Sequence, residues 1–549
     1  WIEATRSMNL SMVVVDEAHC ISVWGHDFRP SFKRIINLVK LLPKGFPVLA
    51  TTATATRRVE ADIARQLGEG LTVLRGPLMR PNFKLFVIRV QSDDEKMIWL
   101  GKNVEKFPGT GIIYTGRRGD TENISRWFEY LGIPSTAYNA GFDADTRKDI
   151  EKGLMENRWK CIISTNALGM GIDKPDIRFI FHTQMPQSPI HYYQEIGRAG
   201  RDGETAYIIL LYNEKSDKEL PLAFIEGARP DLQKYDNMIE TIKTGLFGRN
   251  EIIRKIDITT TQFEVIKADL IENGNIREVL YGKSKKYEFI PNSPALDTAS
   301  FEALKAAKLQ ELDKMIEYVN TKDSRMKFLC DYLGDDTKVI YKNCDNTGEK
   351  KLSVMTTPEM AQKLTEFQEN CSPALEVEKR GTNLKNGVAA ALYSVSFVGN
   401  TIHRCKYETH EEFPDYLLRL TLKAYYKHFN EAPFDLLLYV PSTVSGYLVR
   451  DFAEKISYTL KIPISHNLIK TRQTEEQRNL KSAFTKKDNV KNAFAFSPDS
   501  DIINKRILLI DDIYDSGATI NEIGDTLTKM GAAYIVPLTI AKTVKGDTL

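Results

Sequence analysis

Short apolar runs alternate with helix-like stretches over residues 1–75 and again over residues 85–215, and this alternation constrains the fold of the 549-residue chain most strongly. Short β-rich runs bounded by turn residues are typical of buried strands, and helices between such strands are typical of parallel sheets. The pattern therefore predicts an α/β protein with two parallel-sheet lobes. The predicted strands are Met12–Val15, Val48–Ala50, Gly111–Tyr114, Cys161–Ser164, Phe179–His182 and Ala206–Leu211, and a helix is predicted over Thr121–Leu131.

The remainder of the chain shows three further patterns. Residues 230–292 predict helix, helix, strand, turn and strand, which is the outline of a winged helix. Residues 300–334 are amphipathic and helical, and the polar residues 345–385 predict a linker before an α/β pattern returns near residue 388. The winged-helix elements are predicted at Glu251–Lys255, Thr259–Glu272, Ile276–Leu280 and Tyr287–Ile290, with a basic turn at Gly282–Lys286, and the later strands at Leu436–Val440, Arg506–Ile510 and Tyr534–Leu538.

Composition excludes several classes of protein. The formal net charge is only +2, from 75 basic and 73 acidic residues, so any nucleic-acid contact must come from local clusters. Six scattered cysteines form no dense framework, which favours a reducing cytosol over secretion. No apolar run approaches the ~20 residues that a membrane-spanning helix needs, so no membrane partner is expected.

Two carboxylates, Asp16 and Glu17, follow directly after the first predicted strand. In a nucleotide hydrolase, the first carboxylate of such a pair holds Mg²⁺ and the second polarises the attacking water. The run continues into an aromatic loop, in which Trp24 and Phe28 offer stacking faces for bases and Arg29 adds charge. The alternative is that both aromatic residues belong to the core, but a core segment does not need charged residues between them.

The second lobe carries two further motifs, Ser164–Asp173 and Gln194–Gly203. Glycines such as Gly171 allow close backbone approach to phosphate. Arg198 and Arg201 are three residues apart, so we expect them to share one helical face and to reach a γ-phosphate across a cleft. The alternative is a solvated helix face with two ordinary arginines.

Residues 10–215 resemble superfamily-two helicases in the order and spacing of these motifs, and RecQ-family DNA helicases in particular. The resemblance implies two RecA-like lobes, use of ATP and Mg²⁺, and 3′–5′ unwinding of DNA in repair and recombination. It implies single-stranded and junction or duplex DNA as partners, and a bacterial cytoplasm or nucleoid as the location. The residues it assigns are Asp16 (also the Mg²⁺ ligand), Glu17, His19, Arg198 and Arg201 for catalysis; Thr52, Thr54, Gly171, Asp173 and Gln194 for ATP binding and coupling; and Trp24, His26, Phe28 and Arg29 for DNA.

A phosphate loop of the form Gly-x-x-x-x-Gly-Lys-Ser/Thr is missing from the sequence. The nearest fragment, Gly282-Lys283-Ser284, has Arg277 at the place of the first glycine. In helicases of this kind the loop precedes the acidic box. We therefore expect residues upstream of Trp1 to supply it, the first lobe to be incomplete, and this stretch alone to be inactive.

RecQ proteins also carry a zinc-binding helical platform, which Arg325–Gly334 and Asn343–Asn346 resemble. Of the four cysteine ligands expected, only Cys330 and Cys344 remain, with Tyr341 and Thr347 at the other two places, so zinc is not expected. In the predicted winged helix, lysines would contact phosphates. The alternative is a packing module with a solvated wing, and here it precedes the platform, unlike in many RecQ proteins. The lysines are Lys267, Lys283, Lys285 and Lys286.

Near the C-terminal end, a strand is expected to end in Asp511 and Asp512, followed by a loop of small and hydroxyl residues and a helix. The carboxylates can accept hydrogen bonds from ribose hydroxyls, and the loop amides with the helix N-terminus can hold a 5′-phosphate. This stretch resembles the phosphoribosyl pyrophosphate motif of type I phosphoribosyltransferases. Residues that resemble the ComF branch are Thr471–Thr474, Gln477, Leu480 and Asn489–Phe494; Pro441–Gly446 would be the pyrophosphate loop; and the expected ligand contacts are Asp511, Asp512, Asp515, Ser516, Gly517, Ala518 and Thr519.

These expectations give a multidomain α/β chain and three readings of its function. One is a DNA-translocating motor with an accessory C-terminal domain that binds phosphoribosyl pyrophosphate or a nucleotide. Another is a phosphoribosyltransferase or nucleotide-sensing module on a DNA-binding scaffold, and the third is a non-catalytic scaffold. The complete acidic box, aromatic loop and paired arginines favour the motor. The expected domains are the incomplete first lobe 1–78, the second lobe 79–228, the winged helix 229–295, the degenerate platform 296–350, a linker 351–387 and a phosphoribosyltransferase-like domain 388–549.

Overall fold

The computed structural model divides into two compact units, residues 1–229, 268–275 and 292–360, and residues 230–267, 276–291 and 361–549. No helix in the described stretches is both long and apolar enough to cross a membrane. The residues that the structure describes are 10–22, 30–43, 45–68, 70–168, 172–335, 341–352, 354, 356–378, 381–393, 397–429, 434–441, 447–477, 480, 482–497 and 502–543.

The first unit begins with a small parallel sheet of β1 (Val13–Val15) and β2 (Val48–Ala50), as predicted. Helices α1 (Pro30–Lys40) and α2 (Arg57–Leu67) pack on it through an apolar core. Acidic side chains follow β1 directly, so the sheet presents them at its carboxyl edge.

A six-stranded parallel sheet forms the second lobe of this unit, in the order β3-β8-β7-β4-β6-β5. Its central strands are buried on both faces, which explains their near-continuous apolar sequences. The predicted strands are confirmed, with extensions at several ends. The elements are β3 (Phe83–Val90), α3 (Asp93–Asn103), β4 (Thr110–Tyr114), α4 (Arg118–Tyr130), β5 (Ser135–Tyr138), α5 (Ala144–Met155), β6 (Cys161–Ser164), β7 (Ile177–His182), α6 (Pro189–Ile196), β8 (Ala206–Asn213) and α7 (Glu219–Glu226).

The second unit holds α8 (Leu232–Lys243), α9 (Arg249–Ile256) and the antiparallel hairpin of β9 (Ile276–Tyr281) and β10 (Ser284–Phe289). Helix α10 (Thr260–Glu272) precedes the hairpin, so the predicted order of elements is confirmed. The basic turn is shorter than predicted. Only Gly282 and Lys283 lie between the strands, because Ser284–Lys286 pair with β9.

Two helices of the first unit, α11 (Thr298–Asn320) and α12 (Arg325–Tyr332), pack against the six-stranded sheet and share its core. Beside them, Leu85 N–H donates to the Asn343 carbonyl at 3.0 Å, which fixes residues 343–345 against β3. The helical character predicted for residues 300–334 is confirmed.

The C-terminal part of the second unit has a five-stranded sheet in the order β11-β12-β17-β16-β13. All its pairings are parallel except β11–β12, and a separate antiparallel pair is β14–β15. The segment expected to be a linker differs from the expectation, since it contains α13 and the sheet strand β11. The elements are α13 (Pro358–Asn370), β11 (Ala374–Leu375), β12 (Gly387–Leu392), α14 (Phe397–His403), α15 (Asp415–Phe429), β13 (Leu436–Tyr439), α16 (Leu448–Leu460), β14 (Leu468–Lys470), α17 (Ala483–Val490), β15 (Phe494–Phe496), β16 (Arg506–Tyr514), α18 (Ala518–Lys529) and β17 (Tyr534–Lys542).

Candidate active site and ligand sites

The Asp16 carboxylate lies exposed at the carboxyl end of β1. Its Oδ1 accepts hydrogen bonds from Thr51 Oγ1 at 2.7 Å and from the Glu17 N–H at 2.9 Å. These bonds, the Thr51 hydroxyl foremost, lower the pKa of Asp16. An exposed carboxylate that stays ionised at neutral pH fits a hard divalent cation such as Mg²⁺.

His19 connects the acidic box to the segment after β2. It is buried, and its Nδ1 lies 2.9 Å from Thr52 Oγ1 and 3.2 Å from Glu17 Oε2. Glu17 itself adopts a left-handed backbone at φ 50°. The imidazole therefore orients the Glu17 carboxylate and ties it to Thr52, so the structure brings these three predicted residues together.

A direct hydrogen bond joins the two lobes of the first unit. Gln194 Nε2, from α6 of the second lobe, donates to Thr54 Oγ1 of the first lobe at 2.9 Å. Thr54 is buried, and its backbone carbonyl accepts from Thr52 Oγ1 at 3.3 Å. The bond provides a physical route from the acidic box, through Thr52 and Thr54, to the motif that carries the arginines.

The prediction that Arg198 and Arg201 share a helical face is wrong, because α6 ends at Ile196. Gly200, at φ +52°, turns the chain where a Cβ would lie 2.5 Å from Asn82 Nδ2. Arg201 Nη1 pairs with Asp173 Oδ1 at 2.7 Å. Arg198 lies beside the buried Tyr114 hydroxyl, whose pKa is raised because burial outweighs the nearby positive charge.

Several predicted residues lie outside the described part of the chain, so their roles stay predictions. They are Trp24, His26, Phe28, Arg29 and Gly171.

His182 belongs to the site region but was missed by the sequence reasoning. It ends β7, is buried, and its Nε2 lies 2.8 Å from Glu195 Oε2 next to Gln194. Its ring stacks on Tyr114 with the centroids 5.3 Å apart. The available signal was a polar residue at the carboxyl end of a buried strand, which is where α/β proteins place functional groups.

The β9–β10 hairpin, which is the predicted wing, carries fewer free cations than its sequence suggests. Lys285 pairs across the hairpin with Glu278 at 2.8 Å, and Lys286 lies 3.9 Å from Glu251. Tyr281, at the tip, is 65% exposed, and its ring lies 5.5 Å from Lys286 Nζ. The tip therefore offers one aromatic face, with Lys283 in the turn beside it, and the sequence reasoning missed Tyr281.

Hydrogen bonds and a buried ion pair hold the platform-like region. Cys344 Sγ lies 2.9 Å from Thr347 Oγ1, and the Tyr341 hydroxyl donates to the Asn343 carbonyl at 3.0 Å. Buried Arg325 pairs with Asp345. Among the described residues, no group of three or more His, Cys, Asp or Glu side chains is placed to hold a metal ion.

The C-terminal acids lie within β16 rather than at its end, which corrects the prediction. The strand continues to Tyr514 because Tyr514 still pairs with Lys542 of β17. Asp511 and Asp512 lie beyond the end of β13 and are 9% and 4% exposed. Burial, with the adjacent Asp512 charge, raises the pKa of Asp511.

Lys406 is the counter-ion of this pair, and the sequence reasoning missed it. It lies on a π-helical turn, Arg404–Glu408, and its Nζ is 2.6 Å from Asp512 Oδ2. Burial lowers the pKa of Lys406, but Asp512, Tyr407 and Asp511 together raise it by more. Single π turns recur at functional sites, yet they leave no periodicity to recognise in a sequence.

The loop after β16 contains the residues that were predicted to hold a phosphate. Asp515 accepts hydrogen bonds from Lys486 Nζ at 2.6 Å and from Thr543 Oγ1 at 2.9 Å. Gly517 adopts φ +75°, and a Cβ there would lie 2.4 Å from the Tyr514 hydroxyl. Ser516 caps Ala518 N–H at 3.4 Å, and Thr519 follows in the first turn of α18.

The ComF-like stretch supports this loop from a distance. Arg472 Nη2 donates to the carbonyls of Asn489 and Lys491, both at 2.8 Å, and Asn489 Oδ1 accepts from the Glu475 N–H at 3.0 Å. These residues tie α17 to the chain after β14, so that Lys486 reaches Asp515. Of the predicted pyrophosphate loop, residues 442–446 lie outside the described residues.

Residues 2–62 match the DEAD/DEAH box helicase family, and residues 95–203 match the helicase conserved C-terminal domain. The chain therefore carries DEAD and helicase C-terminal domains. The first match covers the acidic box and Thr54, and the second covers the arginine motif and Gln194.

RecQ helicases are among the homologues of this chain. The ATP-dependent DNA helicase RecQ of Bacillus subtilis is 34% identical over 257 residues, which are 44% of this chain and 42% of that protein. The RecQ-like DNA helicase BLM of Xenopus laevis is 40% identical over 37% of this chain and 15% of its own length. The chain thus spans less than half of either relative.

A solved structure of S. cerevisiae Dbp5 bound to RNA and ADP BeF3 is 19% identical, with a TM-score of 0.34 over 41% of this chain and 60% of that one. That similarity is too low to support a conclusion about the fold.

Proposed function

We propose that this chain is part of an ATP-dependent DNA helicase of RecQ type, which unwinds DNA in the 3′–5′ direction during repair and recombination. The observation that carries the proposal is the hydrogen bond from Gln194 to Thr54, because it couples the acidic-box lobe to the arginine lobe. The domain boundaries expected from the sequence belong to the same proposal.

In this proposal, Asp16 holds the Mg²⁺ of bound ATP and Glu17 orients the attacking water. His19 fixes the Glu17 carboxylate, since it contacts both Glu17 and Thr52. Arg198 and Arg201 stabilise the charge that develops on the γ-phosphate, an effect worth roughly 10³–10⁵ in rate in other hydrolases. For this step, Arg201 exchanges its exposed partner Asp173 for phosphate.

Nucleic acid is proposed to contact two places. The aromatic loop with Trp24, His26, Phe28 and Arg29 binds single-stranded DNA, and the wing binds duplex or junction DNA. Exposed Tyr281 offers a stacking face at the wing tip, while Lys283, Lys285 and Lys286 lie close to backbone phosphates.

The test is ATP hydrolysis by the full-length protein, with and without single-stranded DNA, together with strand separation of a duplex carrying a 3′ tail. We expect DNA to stimulate hydrolysis and the duplex to separate only when ATP is present. An ATP hydrolysis rate that DNA does not change, or DNA binding without any ATP hydrolysis, would contradict the proposed motor function.

A second candidate function, binding of a phosphoribosyl ligand by the C-terminal domain, rests on the Gly517 cradle after β16. Its N–H groups and the N-terminus of α18 suit a 5′-phosphate, and Asp511 and Asp512 suit ribose hydroxyls. The ligand class is phosphoribosyl pyrophosphate or a nucleotide. The alternative is that the domain, once it has bound this ligand, transfers the phosphoribosyl group as a phosphoribosyltransferase.

A further inference from the structure

Strand β3 forms one edge of the six-stranded sheet, and only part of that edge is covered by the described residues. On its inner side β3 pairs with β8 along its whole length. On its outer side, Leu85 exchanges hydrogen bonds with the Asn343 carbonyl and the Asp345 N–H, at 3.0 and 3.1 Å. Edge strands present rows of donors and acceptors that bind further strands unless they are protected.

The covering segment leaves the edge immediately after Asp345. The Val87 N–H donates to the Asp345 side chain at 3.0 Å rather than to another strand. Asp345 is held in place by buried Arg325, whose Nη2 lies 3.0 Å from Asp345 Oδ2. The Asp345 carboxylate thus ends this short strand pairing, and within the described part of the chain no further segment pairs with the edge beyond it.

The next outward groups of β3 follow from the alternation of the strand. In a parallel strand, the N–H and carbonyl of one residue point to the same side, and those of the next residue to the other side. Since Leu85 and the Val87 N–H point outward, the Val87 carbonyl and the Arg89 N–H do so as well. Phe86 to Arg89 line a cavity of about 390 Å³, within the size range of ligand pockets.

The walls of this cavity carry a one-sided charge. Lys322, after the end of α11, and Lys351 are both exposed and line it. Arg89 also lines it, but its guanidinium is bonded to Asn320 Oδ1 at 2.6 Å and pairs with Glu214 at 3.6 Å, so Lys322 and Lys351 carry the uncompensated charge. Among the described lining residues, Asp345 is the one acid, and Arg325 neutralises it. The charge therefore favours an anionic occupant.

We propose that the open edge of β3 is a docking site for an extended acidic peptide segment of a partner protein. The peptide adds as a strand beyond Asp345, donating to the Val87 carbonyl and accepting from the Arg89 N–H. Its acidic side chains lie against Lys322 and Lys351, so main-chain bonds supply binding and the lysines supply selectivity. A nucleic-acid strand would use the same lysines, but it cannot complete the alternating main-chain pattern.

The test is fluorescence anisotropy of a short labelled peptide that alternates Glu with Val, titrated with the whole chain, with hydrogen exchange of β3 measured alongside. We expect saturable binding, protection of the Arg89 amide, and no displacement by an oligothymidylate. Charge reversal by Lys322→Glu with Lys351→Glu should weaken binding about tenfold or more.

The matched control is Lys305→Glu, an exposed residue of α11 that does not line the cavity, and it should leave the affinity unchanged. The proposal would be overturned if a Lys-Val peptide bound equally well or if the Glu-Val peptide did not bind. Protection from hydrogen exchange outside β3, with none at Arg89, would also overturn it. Displacement by the oligothymidylate would assign the cavity to nucleic acid instead.

Discussion

Two regions of this chain share one sequence pattern, an apolar run followed by two acids, and fold it differently. At Asp16 and Glu17 the strand stops before the acids, and Thr51 with a backbone N–H lowers the pKa of Asp16. At Asp511 and Asp512 the strand continues, burial raises the pKa of Asp511, and Lys406 compensates the charge.

The comparison shows that environment decides what a pair of acids can do. The exposed Asp16 carboxylate, whose pKa is lowered, retains the charge that attracts Mg²⁺, and Glu17 beside it is proposed to orient water. A buried pair with a lysine counter-ion has little net charge, and it suits neutral hydroxyl groups that need acceptors. One local pattern thus gives two acidic pairs that we propose to bind different ligands.

The largest expected effect distinguishes the two acidic pairs by their part in ATP hydrolysis. Glu17→Gln in the full-length protein should lower DNA-stimulated ATP hydrolysis by about 10²- to 10⁴-fold while leaving DNA binding intact, because only water activation is lost. Asp512→Asn should leave hydrolysis unchanged. A steady-state phosphate-release assay measures both, and similar rates for the two variants would remove the distinction.

A second prediction concerns the counter-ion. Lys406→Met should lower the free energy of unfolding by about 3–5 kcal/mol, because it leaves a buried carboxylate without a partner. Lys423→Met, which removes an exposed pair with Glu369, should cost less than about 1 kcal/mol. Denaturant unfolding compares the two, and Lys406→Met with Asp512→Asn should recover part of the loss. Equal costs for both lysines would refute the role of Lys406.

A third prediction concerns the ligand. Asp511→Asn with Asp512→Asn should weaken binding of phosphoribosyl pyrophosphate about a hundredfold, since the hydrogen bonds that the two carboxyl groups accept from the ribose hydroxyls are lost. Isothermal titration calorimetry measures this, with Glu17→Gln as the control that keeps its affinity. An unchanged affinity in the double variant would place the ligand elsewhere.

The smallest expected effect is the dependence on pH. The folded pKa of Asp511 is raised above its unfolded value, so its contribution to stability is present at low pH and falls as pH rises through the folded pKa. The slope is at most about 1.4 kcal/mol per pH unit and should vanish in Asp511→Asn. Asp16 has the opposite sign, because its pKa is lowered. Denaturant unfolding at several pH values measures this dependence. A free energy of unfolding that rises with pH and does so equally in Asp511→Asn would contradict the assignment.

Much of the fold followed from the sequence because its signals are local. Strand β6 and the acidic box after β1 lie where apolar runs and adjacent acids predicted them. The sequence predicted a coupling role for both Gln194 and Thr54 but no contact between them, and the structure shows the hydrogen bond that joins them.

The rest depended on tertiary structure. Arg198 and Arg201 lie beyond the end of α6 at Ile196, where Gly200 turns the chain against Asn82. β16 runs past Ile510 because β17 continues to pair with it, and that partner is distant in sequence. Lys406 reaches Asp512 from a π turn, for which no sequence period exists.

The most direct test of the motor is a double-mutant cycle of ATP hydrolysis with Glu17→Gln and Arg201→Ala in the full-length protein. If acids of one lobe and arginines of the other act on one triphosphate, each change lowers the rate strongly and the double variant is little slower than the slower single one. Independent, multiplying losses, or an Arg201→Ala rate equal to wild type, would contradict a shared nucleotide between the lobes.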